Sequence, residues 1–578
     1  MAQTPDGFVR VAELDEVRRR GLFSTQVNGH TVALVYHDER VYAVDNRCPH
    51  MGFPLDRGSV HDGILTCHWH HARFDLCSGG TFDQWADDVR AFPVEVRGDS
   101  VWVDVAERGD EQERQRQRLQ VGLERDISLV TGKAVLALLE RGDAAAPFRT
   151  GLEFGARYRQ RGWGQGLTMH VCMMNLLPHL AAEDRPRALY HGLSAVARDC
   201  AGHPPRFMVS PLPGATPDLA TLKRWFRQFV EVRDDEGAER CVVSAIRAGA
   251  DHRQMADLLF AAVTHHRYVD VGHPADFTNK AFEALDIAGW ELAEPVLTSL
   301  VAGYAGASRM EESNAWRYPI DLVAILERAF ARLPAVVEQA RPAGAWQGRA
   351  ALVDVLLDDR PQATVDAMLD ALAGGCTLAE LASTVAYAAS LRIARFHTSN
   401  EFGDWDTALH TFTFANAVHQ GMRRAPSVEL LRGVFDAAMS VYLDRFLNMP
   451  AARLPEPDGT GAEAEQALAA LPGLLDRQQQ VNQAGQAVAR ALYGGAAPDR
   501  VLAQLGHLLL REDRDFHTIQ AVEAAVRQQQ LLDNGPERVN VLVAAARYLA
   551  AHAPTVRSQG QTYQIAVRLH RGDELFEE

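Results

Sequence analysis

Two short segments, each joining a cysteine to a histidine, restrict the fold of this chain more than any other feature of its sequence. The first is Cys48-Pro-His50 and the second is Cys67-His-Trp-His70, with sixteen residues between them. Thiolate sulfur and imidazole nitrogen are the side-chain donors used for zinc and for some iron–sulfur clusters. We therefore expect a metal centre held by two short loops.

The order of the ligands distinguishes between two kinds of metal centre. A zinc site could use two cysteines and two histidines, but zinc fingers place both cysteines in one knuckle and both histidines in the other. Here each segment supplies one of each. A mixed pair fits a two-iron cluster in which the cysteines bind one iron and the histidines bind the other.

The residues around these segments predict a scaffold of short strands. Apolar residues alternate on both sides of a turn within 29–44 and again within 92–105. Such alternation around a short turn is typical of β-hairpins. Paired strands would hold the two metal-binding loops in place.

At about residues 6–106 the sequence resembles the Rieske [2Fe-2S] family, through the two mixed segments and the strands around them. The resemblance implies an all-β domain of the ferredoxin type. It also implies that Cys48 and Cys67 bind one iron of the cluster, and that His50 and His70 bind the other.

Two departures from the high-potential members of that family bear on the reduction potential. Where those members carry the cysteines of a disulfide, this chain has Phe53 and Trp69. Where they carry a serine and a tyrosine that donate to the cluster sulfurs, it has Ala72 and Phe74. Fewer donors leave the reduced, more negative cluster less stabilised, so we expect a potential at the low end of the Rieske range.

Charge and composition limit the partners and the location of the protein. Its 59 basic and 75 acidic side chains give a formal net charge of −16, which argues against a broad surface for nucleic acid or for an anionic membrane. No apolar run has the length of a signal peptide or a membrane-spanning helix. Seven cysteines, an odd number, are scattered over 578 residues, which suits a reducing compartment. We therefore predict a cytoplasmic protein.

After residue 106 the sequence is first polar and charged, and from about residue 121 it has apolar residues at helical spacing. The expected fold is multidomain, with the all-β Rieske domain followed by a large all-α domain. The predicted segments are a Rieske domain at 1–106, a linker at 107–120, a helical domain at 121–448, a loop rich in proline and glycine at 449–462, and a C-terminal helical part at 463–578.

The helical domain contains two segments that can be aligned as a diverged internal repeat, residues 254–285 and 377–415. The alignment places His273 opposite His397. A true repeat predicts two similar helical units, each offering a histidine after its long helix. Chance similarity between alanine-rich helices is the alternative explanation.

Histidines and acids near these two segments form a second candidate site. Imidazole and carboxylate donors suit non-haem iron or another metal bound through nitrogen and oxygen, and helical bundles build such sites from facing helices. Hydrogen-bonded core histidines without a metal are the alternative. The predicted catalytic histidines, and the acids predicted to bind the metal or orient a ligand, are His266, His273, His397, His410, Asp270 and Asp406.

Residues 390–424 also resemble, more loosely, the questin oxidase-like family of helical oxidases, which oxidise polycyclic aromatic polyketides. The resemblance rests on the late helix that contains histidines and on histidines in an earlier helical unit. It implies an oxidase or monooxygenase activity for the helical domain.

Two functions are compatible with these patterns. The first is an oxidoreductase in which a low-potential Rieske cluster passes electrons to the histidine-lined site, where oxygen and a small organic substrate react with the help of a second metal such as non-haem iron. The second is a Rieske electron-transfer or redox-sensing protein whose helical domain is a partner-binding scaffold. Because the chain shows neither a dinucleotide-binding glycine motif nor a flavin motif, we expect electrons to come from a separate reductase.

Overall fold

The computed structural model describes residues 7–83, 85–106, 111–215, 217–340, 346–457, 461–573 and 575. These residues form two compact units. The first lies within Met1–Pro147 and Gln559–Glu578, and the second lies within Phe148–Ser558. The first unit is therefore built from the two parts of the chain that flank the second.

The strands of the first unit are short and form three antiparallel sheets, with the orders β1-β10-β9, β2-β3-β4-β8 and β5-β6-β7. In chain order they are β1 (Val9–Glu13), β2 (Leu22–Val27), β3 (His30–His37), β4 (Arg40–Asp45), β5 (Ser59–His61), β6 (Ile64–Thr66), β7 (Arg73–Asp75), β8 (Ala91–Phe92), β9 (Val94–Arg97) and β10 (Ser100–Val103).

Helices make up the rest of the regular structure. The first thirteen are α1 (Leu14–Arg20), α2 (Glu111–Glu124), α3 (Ser128–Arg141), α4 (Ala145–Tyr158), α5 (Gln165–Leu176), α6 (Arg185–Cys200), α7 (Leu219–Glu231), α8 (Asp235–Arg247), α9 (His252–Val263), α10 (His273–Ala288), α11 (Ala293–Thr298), α12 (Val301–Gly306) and α13 (Asn314–Arg317). The others are α14 (Leu322–Gln339), α15 (Arg349–Leu356), α16 (Pro361–Ala373), α17 (Leu378–Ala394), α18 (Phe402–Arg424), α19 (Val428–Leu443), α20 (Gly461–Leu475), α21 (Val481–Tyr493), α22 (Pro498–Leu510), α23 (Phe516–Gln529), α24 (Pro536–Ala551) and α25 (Ser558–Arg571).

Both hairpins predicted from the alternation of apolar residues are present. Strands β3 and β4 pair around Asp38 and Glu39, whose φ angles are 46° and 59°. Strands β9 and β10 pair around Gly98 and Asp99. Positive φ at both central residues, as at Asp38 and Glu39, is the geometry of a type I′ turn, whose twist matches that of the strands. Local turn geometry therefore sets the strand register there.

One apolar cluster of the first unit encloses the two cysteine segments. Cys48 and Cys67 are buried in it beside Val35, Leu65 and Phe74. Because the cluster is made by residues of β3, β6 and β7, the strands hold both cysteines in a rigid apolar setting.

The described residues of the second unit contain helices and no strand, which confirms the predicted order of an all-β domain followed by a large all-α domain. Four of its helices pack in a closed ring: α5 contacts α10 and α23, and α18 contacts the same two helices. Side chains that point into this ring come from parts of the sequence that are far apart.

The predicted segment boundaries stay predictions. Residues 111–120 of the predicted linker form the beginning of α2, and residues 449–457 of the predicted loop contain neither helix nor strand. Residues 107–110 and 458–460 lie outside the described residues. Within the described ranges, no helix combines the length and apolar character needed to cross a bilayer.

Candidate functional site

The two segments that carry cysteine and histidine fold into loops of the same design. The backbone carbonyl of Cys48 accepts a hydrogen bond from the N–H of Gly52 at 2.7 Å, and that of Cys67 accepts one from the N–H of His71 at 3.0 Å. Gly52 and His71 both have positive φ, 82° and 62°. Each loop thus turns back four residues after its cysteine, so that each histidine lies inside a tight turn.

The two loops bring the cysteine thiols together. Cys48 and Cys67 are buried, and their thiols hydrogen-bond to each other. That bond lowers the pKa of the Cys67 thiol to about 6, and the bond together with burial raises the pKa of Cys48 above its ordinary value. Two adjacent sulfurs, one of which ionises readily, form a pair that can bind a single iron.

The two histidines of the loops also meet. The His50 and His70 rings are edge to face with centroids 4.9 Å apart, and the Trp85 ring also lies edge to face with His50, at 4.8 Å. Nδ1 of His50 is buried without a hydrogen-bond partner. Because a buried polar nitrogen normally has a partner, this atom fits a metal ligand. The four residues therefore fit a two-iron cluster with two sulfur and two nitrogen ligands.

The four side chains from which a low reduction potential is predicted lie in apolar surroundings. Ala72 and Phe74 are fully buried, and Phe53 and Trp69 pack against the same apolar cluster. All seven cysteines are free thiols. The loops therefore have no disulfide between them, and neither position 72 nor position 74 offers a hydroxyl donor.

In the second unit, three histidines converge from three helices. His273 is the first residue of α10, His410 lies in α18, and His517 is the second residue of α23. The Nε2 atoms of His410 and His517 are 3.1 Å apart, and one nitrogen from each of the three rings lies within 4.8 Å of the others. The predicted residues His273 and His410 are thus brought together, with a third histidine.

Burial keeps two of these imidazoles neutral. Burial lowers the pKa of His273 to about 4, and burial together with the neighbouring His273 and His517 lowers that of His410 to about 3. A neutral imidazole is the form that binds a metal ion. Three nitrogen donors would leave coordination positions open, as catalytic metal sites do.

Asp406, predicted as a metal ligand or an orienting acid, lies behind one of these histidines. Its Oδ2 is 3.7 Å from Nδ1 of His517, the ring nitrogen opposite the one that faces His410. The Tyr548 hydroxyl donates to its Oδ1 at 2.6 Å. This position suits a carboxylate that orients a histidine ligand, rather than one that binds the metal itself.

Asp270 is held at the turn before α10. Its Oδ1 accepts a hydrogen bond from the Ser308 hydroxyl at 3.2 Å, and its backbone has a φ of 44°. Its charge raises the pKa of His273, which opposes the larger effect of burial on that residue. Asp270 is therefore near the cluster, although it is not one of the three converging groups.

Two of the predicted histidines lie elsewhere. His266 is bound between the carboxylates of Glu231 and Glu311, each at 2.6 Å. His397 contacts the Ser399 hydroxyl at 2.6 Å. The prediction that four histidines share one site is therefore corrected to two of the four, joined by His517.

His266 and His273 are separated because the backbone turns between them. Helix α9 ends at Val263, and Tyr268, Asp270 and Val271 have left-handed φ angles, so residues 266–273 do not form a continuous helix that would place His266 and His273 on one face. Gly272 has a φ of 94°, and a Cβ there would lie 2.6 Å from Phe414. The chain can make this turn only because that position has no side chain.

The proposed repeat does not place its two histidines equivalently. His273 begins α10, whereas His397 precedes the first residue of α18 by five positions. His517 was not among the histidines predicted to form the site. The sequence does contain a signal for it, because α10 and α23 each carry a histidine in the first two positions and then polar residues on one face of an apolar helix, at 276, 280 and 283 and at 520, 523 and 527.

Those polar faces meet in the centre of the four-helix ring. The Lys280 ammonium donates to Glu283 at 2.9 Å and to Glu523 at 2.7 Å, and all three side chains are buried. Gln520 contacts Asp276, and burial raises the pKa of that carboxyl to about 7. The three-histidine cluster therefore lies one helical turn from a buried ionic network.

Comparison with known proteins identifies the first unit. The family model described as "Rieske [2Fe-2S] domain" matches residues 7–93. The ferredoxin component of the naphthalene 1,2-dioxygenase/salicylate 5-hydroxylase systems of Ralstonia sp is 28% identical over 90 residues, 15% of this chain and 86% of that protein. The alkene monooxygenase system's ferredoxin component from Xanthobacter autotrophicus is 30% identical over 97 residues, 17% of this chain and 80% of the relative.

Among solved structures, the ferredoxin of carbazole 1,9a-dioxygenase from Nocardioides aromaticivorans is 33% identical. The match covers 17% of this chain and 96% of that one, with a TM-score of 0.16. All three of these proteins are ferredoxins or ferredoxin components, and nearly the whole of each corresponds to a small part of this chain.

Proposed function

This chain belongs to the Rieske [2Fe-2S] family through residues 7–93, and from that membership we propose that it is a two-site oxidoreductase. The first unit carries electrons one at a time. The second unit uses them at a site formed by His273, His410 and His517, which would hold a second metal ion, and there oxygen oxidises a small organic substrate. The observation that carries the proposal is the convergence of three histidine nitrogens within 4.8 Å of one another.

The residues of the first unit supply a rigid and specific ligand set. Cys48 and Cys67 present adjacent sulfurs, and His50 and His70 present adjacent rings, one of which has a buried nitrogen without a partner. A [2Fe-2S] cluster held by these four residues supplies one-electron transfer. The strands and the tight turns fix the ligands so that little rearrangement accompanies a change of charge.

Helices fix the ligands in the second unit. His273 and His517 lie in the first turns of α10 and α23, and Asp515 caps α23 by accepting a hydrogen bond from Thr518. Nitrogen donors of this kind suit iron and other first-row metals, and three of them would leave coordination positions free for oxygen and substrate. The Asp406 carboxylate is 3.7 Å from Nδ1 of His517, the ring nitrogen turned away from His410, where it would orient that ring as a ligand.

Electrons are proposed to come from a separate reductase protein. The relatives that match the first unit are named as ferredoxin components of dioxygenase and monooxygenase systems, which supports a role as an electron carrier between proteins. In this chain the carrier is fused to a helical unit that has a candidate reaction site of its own. The oxidase-type activity suggested by residues 390–424, and the cytoplasmic location, stay predictions.

The alternative is an electron-transfer or redox-sensing protein whose helical unit is a scaffold. In that case the three histidines would bond to one another without a metal, and His410 would donate to His517 or accept from it. The metal content of the helical unit separates the two functions.

The test is a count of metal and acid-labile sulfide in full-length protein, purified without oxygen and loaded with ferrous iron. We expect the wild-type chain to hold one metal ion beyond the two irons of the cluster. His410→Ala should lose that extra ion and keep the sulfide, whereas His397→Ala, which removes a histidine outside the cluster, should keep both. A wild-type chain with cluster iron alone, under conditions in which the sulfide is complete, would favour the scaffold function.

A further inference from the structure

A lysine from outside the Rieske match reaches the loop that carries two of the cluster ligands. Lys133 of α3 is only 7% exposed, and its Nζ donates a hydrogen bond of 2.6 Å to the carbonyl oxygen of Pro49. Pro49 lies between Cys48 and His50. The ammonium group is therefore fixed beside the backbone that joins a sulfur ligand to a nitrogen ligand.

The charges around this lysine do not cancel. Lys133 is 3.3 Å from Oδ2 of Asp87, and the Arg118 guanidinium of α2 pairs with the same carboxylate. Two cations share one anion, which leaves one excess positive charge. Since the side chains of Lys133 and Asp87 are only 9% and 14% exposed, water screens that charge poorly.

The helices that follow the strands supply both cations. The match to the Rieske family ends at residue 93, whereas Arg118 and Lys133 lie in α2 and α3. Both helices belong to the same compact unit as the strands. The first unit thus places a cation beside the cluster loop that residues 7–93 alone do not contain.

We infer that Lys133 sets the reduction potential of the Rieske cluster, raising it above the value that the strands and loops alone would give. Reduction adds one negative charge at the cluster ligands, and a fixed cation beside them stabilises the reduced state more than the oxidised state. Because the side chains of Ala72 and Phe74 cannot donate a hydrogen bond, the charge of Lys133 compensates in part for the missing hydroxyl donors.

A second cation near the ligands has a different partner. The Arg47 side chain precedes Cys48 and donates to the backbone carbonyl of Leu569 in the last turn of α25 and to that of Asp573, two residues beyond the helix. Those carbonyls carry the partial negative charge of a helix C-terminus, which offsets the charge of Arg47. Lys133 is therefore the group whose removal isolates the effect of the excess charge.

The test measures the midpoint potential of the full-length protein by a redox titration followed by electron paramagnetic resonance. Lys133→Met keeps the length of the side chain and removes its charge. We expect the one-electron reduction constant to fall at least tenfold, which corresponds to about 59 mV for a one-electron couple. The matched control is Lys223→Met, which removes the same charge from the second unit, where Lys223 pairs with Asp257, and should leave the potential unchanged.

Two more variants separate an electrostatic role from loss of structure. Asp87→Asn removes the anion and should shift the potential in the opposite direction, upward. Lys133→Arg keeps the charge and should stay close to the wild type, and the direction of the shift in Asp87→Asn decides the question if Lys133→Met cannot assemble the cluster. A wild-type potential in Lys133→Met, or shifts of the same sign in Lys133→Met and Asp87→Asn, would overturn the inference.

Discussion

The Nε2 atoms of His410 and His517 lie 3.1 Å apart, although the two residues are 107 positions apart in the chain. With a proton between them, they form a hydrogen bond between neutral rings; without it, both lone pairs face a common point that His273 also reaches. The second arrangement requires a cation, which is why metal binding is the decisive measurement for this unit.

Removing the carboxylate behind His517 should weaken metal binding without abolishing it. Asp406→Asn keeps the shape of the side chain but orients the ring less firmly and makes it less basic. We expect a roughly 10–100-fold lower affinity for cobalt(II), measured by visible absorption in full-length protein stripped of its second metal. His517→Ala should remove the cobalt signal, whereas His397→Ala, which removes a histidine outside the cluster, should not change it. An unchanged affinity in Asp406→Asn would show that Asp406 does not act on the site.

The cluster should have a reduction potential near the lower limit of the Rieske range, about −150 mV. Neither position 72 nor position 74 has a hydroxyl group, and the loops are not joined by a disulfide. Direct voltammetry of the wild-type chain is the measurement. A potential near the upper limit, about +300 mV, would contradict the explanation from missing donors.

Replacing Lys280 by methionine should strongly destabilise the second unit. Lys280 is 1% exposed and is the cation shared by the buried carboxylates of Glu283 and Glu523. Removing one partner of a buried ion pair costs about 3–5 kcal/mol of unfolding free energy. Urea unfolding followed by circular dichroism should show that loss, and Lys223→Met should change the free energy by about 1 kcal/mol or less. Equal losses in the two variants would mean that the buried network contributes little.

A histidine on α22 should titrate above its ordinary range. Nδ1 of His507 is 2.9 Å from the buried carboxylate of Asp184, and this hydrogen bond raises the pKa of His507 above 6.5. Because the pKa is raised in the folded state, the contribution to stability is complete below pH 6.5 and is lost as the pH rises through the folded-state pKa. Titration by nuclear magnetic resonance should find the raised pKa, and Asp184→Asn should lower it. Equal pKa values in the two proteins would contradict the pairing.

The sequence was sufficient for the first site because its chemistry is local. Cys48, His50, Cys67 and His70 lie in two neighbouring loops, so their spacing predicts one shared metal centre, and the resemblance to the Rieske family implies which ligands bind which iron. The hairpins that support them are equally local, since alternation and turn residues specify them. The prediction did not depend on how distant segments of the chain pack against one another.

The second site could not be predicted in the same way. His273, His410 and His517 meet through the packing of three helices, and helical periodicity does not specify which helices become neighbours. The grouping of His266 with His273 was wrong because the helix breaks between them, where three residues take left-handed backbone angles. Lys133 was missed for a related reason: its partner Pro49 is 84 residues away.

The first unit is completed by a helix that follows the second unit in the chain. Arg47, next to a cluster ligand, bonds to Leu569 of α25 at 3.0 Å, and α25 is translated only after all of α4–α24. During synthesis, the loop of Cys48 therefore emerges hundreds of residues before its last packing partner. The cluster loop can therefore reach its final packing only after α25 has been synthesised. A chain that ends before α25 lacks one of the contacts that support the loop of Cys48.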